Sequence, residues 1–205
     1  MLNQEWTKLA KFVDSGEPSY ARLRNGRTVA VPSETTSEKV GAVRSKASEA
    51  LIGLPPVADR NTKVLILGTF PGAASLKARQ YYADSRNHFW RLVSRVLRLD
   101  LNNMSYDDKC AQLLEHQLGL WDVIESCWRK GSSDREILDE TLRDLSELRR
   151  VAPNLRLIAF NGSSPSDYVS YDFPSIVLPS SSSSNTHNTI QIKSQAWSQT
   201  LNQYR

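Results

Sequence analysis

The sequence contains little cysteine and little histidine, and this scarcity excludes several kinds of site. Its 205 residues include two cysteines, Cys110 and Cys127, which are too few to ligate an iron–sulfur cluster or to form a disulfide framework and which suit a reducing compartment. The three histidines, His88, His116 and His187, are widely separated, with no pair at the spacing of metal ligands. We therefore expect no metal ion and no other cofactor.

Long apolar runs and a large excess of one charge are also absent. No run approaches the roughly 20 apolar residues that cross a membrane, and the first residues, MLNQEWTKLAKFVDSG, lack the basic and then apolar pattern of a signal peptide. The formal net charge of +4 permits a polyanionic partner without requiring one. These features predict a protein of the cytoplasm with no membrane partner, and we also expect it to be a monomer.

Residues 1–61 differ in pattern from the rest and predict an N-terminal α/β extension. In YARLRNGRTVAV, Asn25 and Gly26 separate two alternating runs, which predicts a hairpin with a two-residue turn. The segment TSEKVGAVRSKASEALIGL has apolar residues near helical spacing and ends before Pro55 and Pro56, so it predicts a helix. The extension could be an added lobe, or it could wrap around the main domain.

Residues 62–205 alternate between short apolar runs and helical patterns. The runs KVLILG, LGLWDVIES, LRLIAF and PSIVLP predict four strands, the second of which continues into a loop. Helices are predicted for FWRLVSRVLRL, for DREILDETLRDLSELRRV, which follows a capping box of Ser133 and Glu136, and for TIQIKSQAWSQTLNQY. The alternation predicts an α/β fold with three layers, α/β/α, around a four-stranded parallel sheet.

The four predicted strands end in loops that should meet at one edge of the sheet, where ligands bind in such folds. These loops have the sequences GTFPG, WDVIES, FNGSS and LPSSSSSN. GTFPG lacks the Lys-Ser/Thr pair of a nucleotide-binding loop, and no nucleophile elbow is present. Either Tyr81 or Tyr82 could line the cleft, and a flat ring there would stack on a nucleobase. The serine-rich loop has the composition of a linker, but its hydroxyl and N–H groups also suit contacts with phosphates.

Several motifs in register resemble the uracil-DNA glycosylase superfamily, and most closely its hypoxanthine-DNA glycosylase branch. That branch has a strand followed by Gly-Ser-Met-Pro-Gly, Ser-Leu, Gln-Tyr-Tyr-Ala-His-Pro-Arg-Asn and Phe-Trp, where this chain has GTFPG, SL, QYYADSRN and FW. The segments LWDV, FNG and LPSSSSS match the branch's Leu-Trp-Asp-Val, Phe-Asn-Gly and Leu-Pro-Ser-Thr-Ser. The resemblance covers about residues 63–197. It implies an enzyme that extrudes a base from duplex DNA and hydrolyses its glycosidic bond, and that is associated with the nucleoid if the source is bacterial.

The resemblance also implies roles for individual residues. The branch's catalytic asparagine falls on Asn87, whose amide would position the attacking water, and Asp84 could assist that water or cap the following helix. Asp122 and Asn161 would hydrogen-bond the extruded base, and an ionised aspartate would offer it acceptors alone. The other residues implied to contact the base are Gly68, Thr69, Phe70 and Tyr82. The residues implied to contact DNA are Arg86, Ser180, Ser181, Ser182 and Asn185.

Three features depart from the pattern of the superfamily or of its branch, and one of them is serine in the last loop where the family has Pro-Ala, which makes that loop more polar. Phe70 stands where many members of the superfamily have an Asp or Asn that holds the water, so this task falls on Asn87. Asp84 and Ser85 replace His-Pro, which puts a carboxylate beside Asn87.

Three functions stay open. The first function is a monofunctional glycosylase that removes hypoxanthine or uracil. The second is an anti-phage defence enzyme that excises a bulky base such as glucosylated hydroxymethylcytosine. The third is a module that binds flipped bases without cutting.

Overall fold

The computed structural model describes residues 50–168 and 173–205, together with the backbone of two strands that precede them. The chain divides into two compact units, Met1–Ala47 and Ser48–Arg205. No helix in the described ranges is long and apolar enough to cross a membrane.

The two strands of the first unit flank the predicted hairpin turn. They are β1 (Ser19–Arg22) and β2 (Thr28–Val31), and they pair antiparallel with Arg22 opposite Thr28. A regular two-residue turn would place Arg22 opposite Val29, so the register differs from the predicted one by one position. The turn residues and residues 36–49 of the predicted helix lie outside the described residues. The end of that predicted helix is instead a short strand, β3 (Leu51–Ile52).

The elements that follow alternate between strands and helices. In chain order they are β4 (Val64–Gly68), α1 (Ala73–Ala78), α2 (Phe89–Leu97), α3 (Tyr106–Glu115), β5 (Leu118–Asp122), β6 (Ile124–Arg129), β7 (Ile137–Leu142), α4 (Glu147–Val151), β8 (Leu157–Asn161), β9 (Ser175–Leu178) and α5 (Ile190–Tyr204). Short 3-10 helices cover Leu101–Asn103, Asp134–Glu136 and Ser164–Tyr168.

A four-stranded parallel sheet lies at the centre of the second unit, as the sequence predicts. Its spatial order is β5-β4-β8-β9, and each neighbouring pair is parallel. Every residue of the central strand β4 is buried, which explains why its sequence, VLILG, is apolar without alternation. The predicted α/β fold class with a four-stranded parallel sheet is confirmed.

The main hydrophobic core lies on one face of this sheet, where α2 and α5 pack against each other. The predicted apolar face of α2 is buried in this core, together with Trp197 and Leu201 of α5. The opposite face of the sheet is covered by shorter elements. The 3-10 helix Ser164–Tyr168 contacts β4 and β8, and Leu148 of α4 lines the same cavity as Ile158 of β8.

The segment from Ile124 to Leu142 differs most from the sequence prediction. The predicted loop and long helix are instead the antiparallel strands β6 and β7, which form a second sheet of order β3-β6-β7. Ser133 caps only a single 3-10 turn. Ile137 is 1% exposed whereas Leu138 is 62% exposed, an alternation that suits a strand. The helical spacing is a local signal, and pairing with β6 overrides it.

Candidate functional site

The carboxyl ends of neighbouring strands bring predicted site residues together. Gly68 at the end of β4 pairs with Asp122 at the end of β5, and Asn161 ends β8 on the other side of β4. A Cβ atom on Gly68 would collide with Oδ1 of Asp122. Glycine is therefore needed at position 68 because it lets the carboxyl group lie directly against the strand.

Asp122 is a buried carboxyl group with an unused oxygen. The residue is 3% exposed, and its Oδ2 atom has no hydrogen-bond partner among the described residues. Burial raises the pKa of Asp122 to about 7, against the opposing effect of Arg143 and with smaller effects of Asp134 and Arg129. The sequence implied an ionised group that only accepts. With this pKa the carboxyl is about half protonated at neutral pH, so it can also donate.

Tyr82 lies beside this carboxyl group in a left-handed backbone conformation, with φ of 54°. Its ring stacks on Phe89, the first residue of α2, with ring centroids 3.7 Å apart and an angle of 8° between the planes. Burial, and then the charge of Asp122, raise the pKa of the Tyr82 hydroxyl. The stacked ring fixes the hydroxyl oxygen, which accepts a hydrogen bond from Nδ2 of Asn161 at 3.0 Å.

The amide of Asn161 joins β8 to the serine-rich loop, residues 180–185. Its Nδ2 atom donates to Oγ of Ser181 at 2.8 Å as well as to Tyr82, and its Oδ1 atom accepts from the backbone N–H of Ser181 at 2.7 Å. Both amide hydrogens are thus in use. An incoming base could bond the second lone pair of Oδ1, or it would have to displace one of these partners.

The serine-rich loop is a fixed element and not a linker. Ser181 is fully buried, and its carbonyl accepts from the backbone N–H of His88 at 2.9 Å. The buried ammonium of Lys193, in α5, donates to the carbonyls of Ser182 at 3.2 Å and Asn185 at 2.9 Å. Burial lowers the pKa of Lys193. The inward carbonyls of the loop are therefore satisfied, while Ser183 and Ser184 are exposed.

Asn87 lies at the start of α2 and takes part in its capping. Its Oδ1 atom accepts from the backbone N–H of Phe89 at 3.0 Å, and its own N–H donates to the carbonyl of Asp84 at 2.9 Å. The next residue, His88, donates its backbone N–H to the carbonyl of Ser181, which also contacts Asn161. Asn87 therefore lies next to the group formed by Tyr82, Asn161 and the serine-rich loop. The cap uses one lone pair of Oδ1 and leaves Nδ2 available.

Asp84 and Arg86 form an exposed ion pair at the edge of this group. The carboxylate accepts from Nη2 of Arg86 at 2.8 Å and from Nε at 3.1 Å, and the two side chains are 40% and 80% exposed. The hydrogen bonds from Arg86 hold the pKa of Asp84 at about 2. A carboxylate with this pKa is a weak base, and its oxygens are already occupied.

Thr69 and Phe70 are buried under the turn between β6 and β7. The carbonyls of Gly68 and Thr69 accept from the N–H groups of Val123 and Ile124 at 3.0 and 3.1 Å, and the Thr69 hydroxyl hydrogen-bonds Asp134. The guanidinium of Arg129 lies 5.0 Å from the centre of the Phe70 ring. Arg129 and Asp134 therefore hold the GTFPG loop in place.

Three residues near the site were missed at the sequence level: His88, Arg129 and Lys193. The Nδ1 atom of His88 and the Nε and Nη1 atoms of Arg129 are buried without hydrogen-bond partners among the described residues. Burial, then Lys193 and Arg91, lower the pKa of His88. Lys193 could have been found, because it occupies the same helical stripe as the buried Trp197 and Leu201. Arg129 follows a segment predicted as a loop, so no pattern indicated its burial.

Among the described residues, neither a metal site nor the cavity beside α4 involves the predicted site residues. Within the described ranges no group of three His, Cys, Asp or Glu side chains could hold a metal ion. A cavity of about 460 Å³ lies next to α4, and its lining includes Leu148, Ile158 and Phe173 but none of the predicted site residues.

Comparison with known proteins gives one family. The model of the uracil DNA glycosylase superfamily matches residues 55–204. A protein of Methanosarcina acetivorans named hypoxanthine DNA glycosylase is 42% identical over 137 residues, which cover 65% of this chain and 87% of that protein. A protein of the same name from Methanosarcina barkeri is 36% identical over 151 residues, covering 72% of this chain and 95% of that protein.

A solved structure agrees with these relatives. It is a solution NMR structure of a Methanosarcina acetivorans protein named as a uracil DNA glycosylase, 36% identical to this chain, with a TM-score of 0.67. The match covers 76% of this chain and 98% of that protein.

Proposed function

We propose that this chain, which belongs to the uracil DNA glycosylase superfamily, removes hypoxanthine from DNA and leaves an abasic site. The chain is a DNA glycosylase, and DNA is its substrate. The names of the two Methanosarcina relatives support hypoxanthine as the base. One buried side chain of the site is also suited to a deaminated base, of which hypoxanthine is one.

The observation that carries the proposal is the unpartnered Oδ2 atom of Asp122, buried where the strand ends meet. A buried polar atom without a partner is costly unless a ligand supplies one. Hypoxanthine presents N1–H as a donor next to O6 as an acceptor. A protonated carboxyl group matches this edge with two hydrogen bonds, because its carbonyl oxygen accepts from N1–H and its hydroxyl donates to O6.

In the proposed reaction, water adds to C1′ of the deoxyribose while the bond from C1′ to N9 of the base breaks. The electron pair of that bond leaves with the base, and the proton that the water loses is taken up through solvent by a ring nitrogen of the base, so that neutral hypoxanthine is released. Asn87 orients the water through the free lone pair of Oδ1 or through Nδ2. Positioning of this kind lowers the barrier as the sugar gains oxocarbenium character. Tyr82 and Asn161 form the wall of the base pocket on the side of β8.

Base release from duplexes that carry hypoxanthine, uracil or glucosylated hydroxymethylcytosine tests this proposal, with strand cleavage by alkali as the readout of abasic sites. Release should be fastest from the hypoxanthine duplex, and its rate should fall as pH rises through about 7, because Asp122 then loses the proton that O6 needs. Uracil presents a similar edge to Asp122, N3–H beside O4. Asp122 therefore does not discriminate between the two bases, and only the comparison of rates on the three duplexes does.

The alternative outcomes of this assay would each identify a different function. Release from the glucosylated duplex alone would assign the enzyme to the excision of bulky modified bases. Tight binding of a modified duplex without release of any base would identify a module that binds flipped bases and does not cut them.

A further inference from the structure

The surface of α2 is unusual in having arginine at each exposed position. Among residues 89–98, only Arg91, Arg95 and Arg98 are exposed, and the others are buried. Packing explains the apolar residues of this helix, since they line the core. Packing does not require arginine on the outer side, where any polar residue would satisfy the fold.

Two of these arginines lie in the turns of α2 that follow its contact with the serine-rich loop. The residue before α2, His88, donates its backbone N–H to Ser181 of that loop at 2.9 Å. Arg91 lies one turn further along α2. Arg95 lies one turn beyond Arg91 on the same side of the helix, and its Nη1 atom donates to Oγ of Ser194 in α5 at 3.0 Å. Arg91 and Arg95 therefore continue the surface that starts at the loop.

Acidic residues are missing from the segments that form this surface. Neither residues 85–99 nor residues 173–205 contain Asp or Glu. Among the described residues, neither Arg91 nor Arg95 takes part in an ion pair, whereas Arg86 pairs with Asp84 and Arg150 pairs with Glu147. The positive charge of Arg91 and Arg95 is thus available to a polyanion.

We propose that Arg91 and Arg95, the α2 arginine pair, bind phosphates of duplex DNA that extends beyond the serine-rich loop. This inference rests on the proposed function, which brings DNA to the loop. The helical rise separates the two residues by about 6 Å along the axis, so both can contact one backbone. Phosphate contacts of this kind fix the register of the protein on DNA and carry no sequence information.

Arg98 lies outside the pair. It caps the carboxyl end of α2 in a left-handed conformation, with φ of 58°, and Asp100 follows two residues later. It is about 10 Å further from the loop than Arg91 along the helix axis. Arg98 and the exposed Arg149 of α4, which lies on the other face of the sheet, therefore form a matched control for the same loss of charge.

The test measures binding of an undamaged DNA duplex by fluorescence anisotropy between about 50 and 200 mM salt. The double variant Arg91→Gln/Arg95→Gln should bind on the order of tenfold more weakly or worse, and its salt slope should be lower by roughly two, since each lost phosphate contact removes about one. The control Arg98→Gln/Arg149→Gln should keep the slope of the natural protein. Arg91→Lys/Arg95→Lys should restore it, because lysine also pairs with phosphate.

Failure of this proposal differs from failure of the proposed function. An unchanged slope for Arg91→Gln/Arg95→Gln, or an equal decrease in the control, would exclude the α2 arginine pair as a phosphate site. If Arg91→Gln/Arg95→Gln lowers the slope and the control does not, but the natural protein releases no hypoxanthine, the pair stands and the proposed function is wrong.

Discussion

At the scale of single residues, Asn87 has two tasks, and the loss of each can be measured separately in one variant. It caps α2 through Oδ1 and is proposed to orient the attacking water. Asn87→Ala should cost about 1 kcal/mol of unfolding free energy, because the cap is lost, while base release should fall by a hundredfold or more, as expected when a group that acts at the transition state is removed. Urea unfolding and single-turnover release measure the two effects.

Asp84→Asn provides the comparison for this prediction. Asp84 is held ionised by Arg86 at the exposed edge of the site, so its loss should slow base release much less than the loss of Asn87. If the two variants change in the opposite order, Asp84 is the group that activates the water, and Asn87 is a helix cap alone.

At the scale of elements, the serine-rich loop depends on a charge that lies in α5. Lys193→Met keeps the length and apolar character of the side chain but removes the donor to the carbonyls of Ser182 and Asn185. A fully buried carbonyl left without a partner costs about 1–3 kcal/mol, and these two, which are only partly buried, should each cost less. Amide hydrogen exchange should therefore accelerate in residues 180–185, and hypoxanthine release should slow by about tenfold or more.

The comparison for Lys193 is Trp197→Phe, one turn further along α5. Trp197 donates from Nε1 to the carbonyl of Pro179, before the loop. This substitution removes one hydrogen bond and also reduces buried volume, yet it leaves both contacts of Lys193 in place. If exchange in residues 180–185 accelerates equally in both variants, the loop responds to general destabilisation of α5 and not to the ammonium group.

The sequence predicts the elements of this unit where a local pattern and the tertiary structure agree. The apolar runs of β4, β5 and β8 form buried strands, β9 is found as predicted although three of its four residues are exposed, and α2 buries its predicted stripe. The segment Ile137–Leu142 was predicted as helix because its apolar residues fit helical spacing, and the pairing with β6 that decides otherwise is not visible locally. The predicted group of Asp122 and Asn161 is found at the strand ends. The burial of Arg129 could not be predicted, because no local pattern indicates it and it follows from tertiary contacts alone. Lys193 was missed although it shares a helical stripe with the buried Trp197 and Leu201.

At the scale of the whole molecule, the charge state of Asp122 links the site to global stability. The pKa of Asp122 is about 7 in the folded protein and roughly 4 in an unfolded chain. Between these two values the folded state holds a proton that the unfolded state has lost. The contribution of Asp122 is therefore most favourable below about pH 4, and it declines by up to about 1.4 kcal/mol per pH unit until about pH 7. The site keeps this cost because a buried carboxyl that can be protonated is what the proposed base requires.

Asp122→Asn removes this titration while keeping the shape of the side chain, so the variant should gain stability relative to the natural protein as pH rises from about 5 to about 8. Urea unfolding at both values measures the difference. Asp84→Asn is the control, because the pKa of Asp84 is lowered to about 2 and its contribution is lost only as pH falls toward that value. The stability difference for Asp84→Asn should thus be the same at both pH values. A pH-independent difference for Asp122→Asn as well would mean that Asp122 is ionised throughout, and the two-bond recognition of hypoxanthine by a protonated carboxyl would then be wrong.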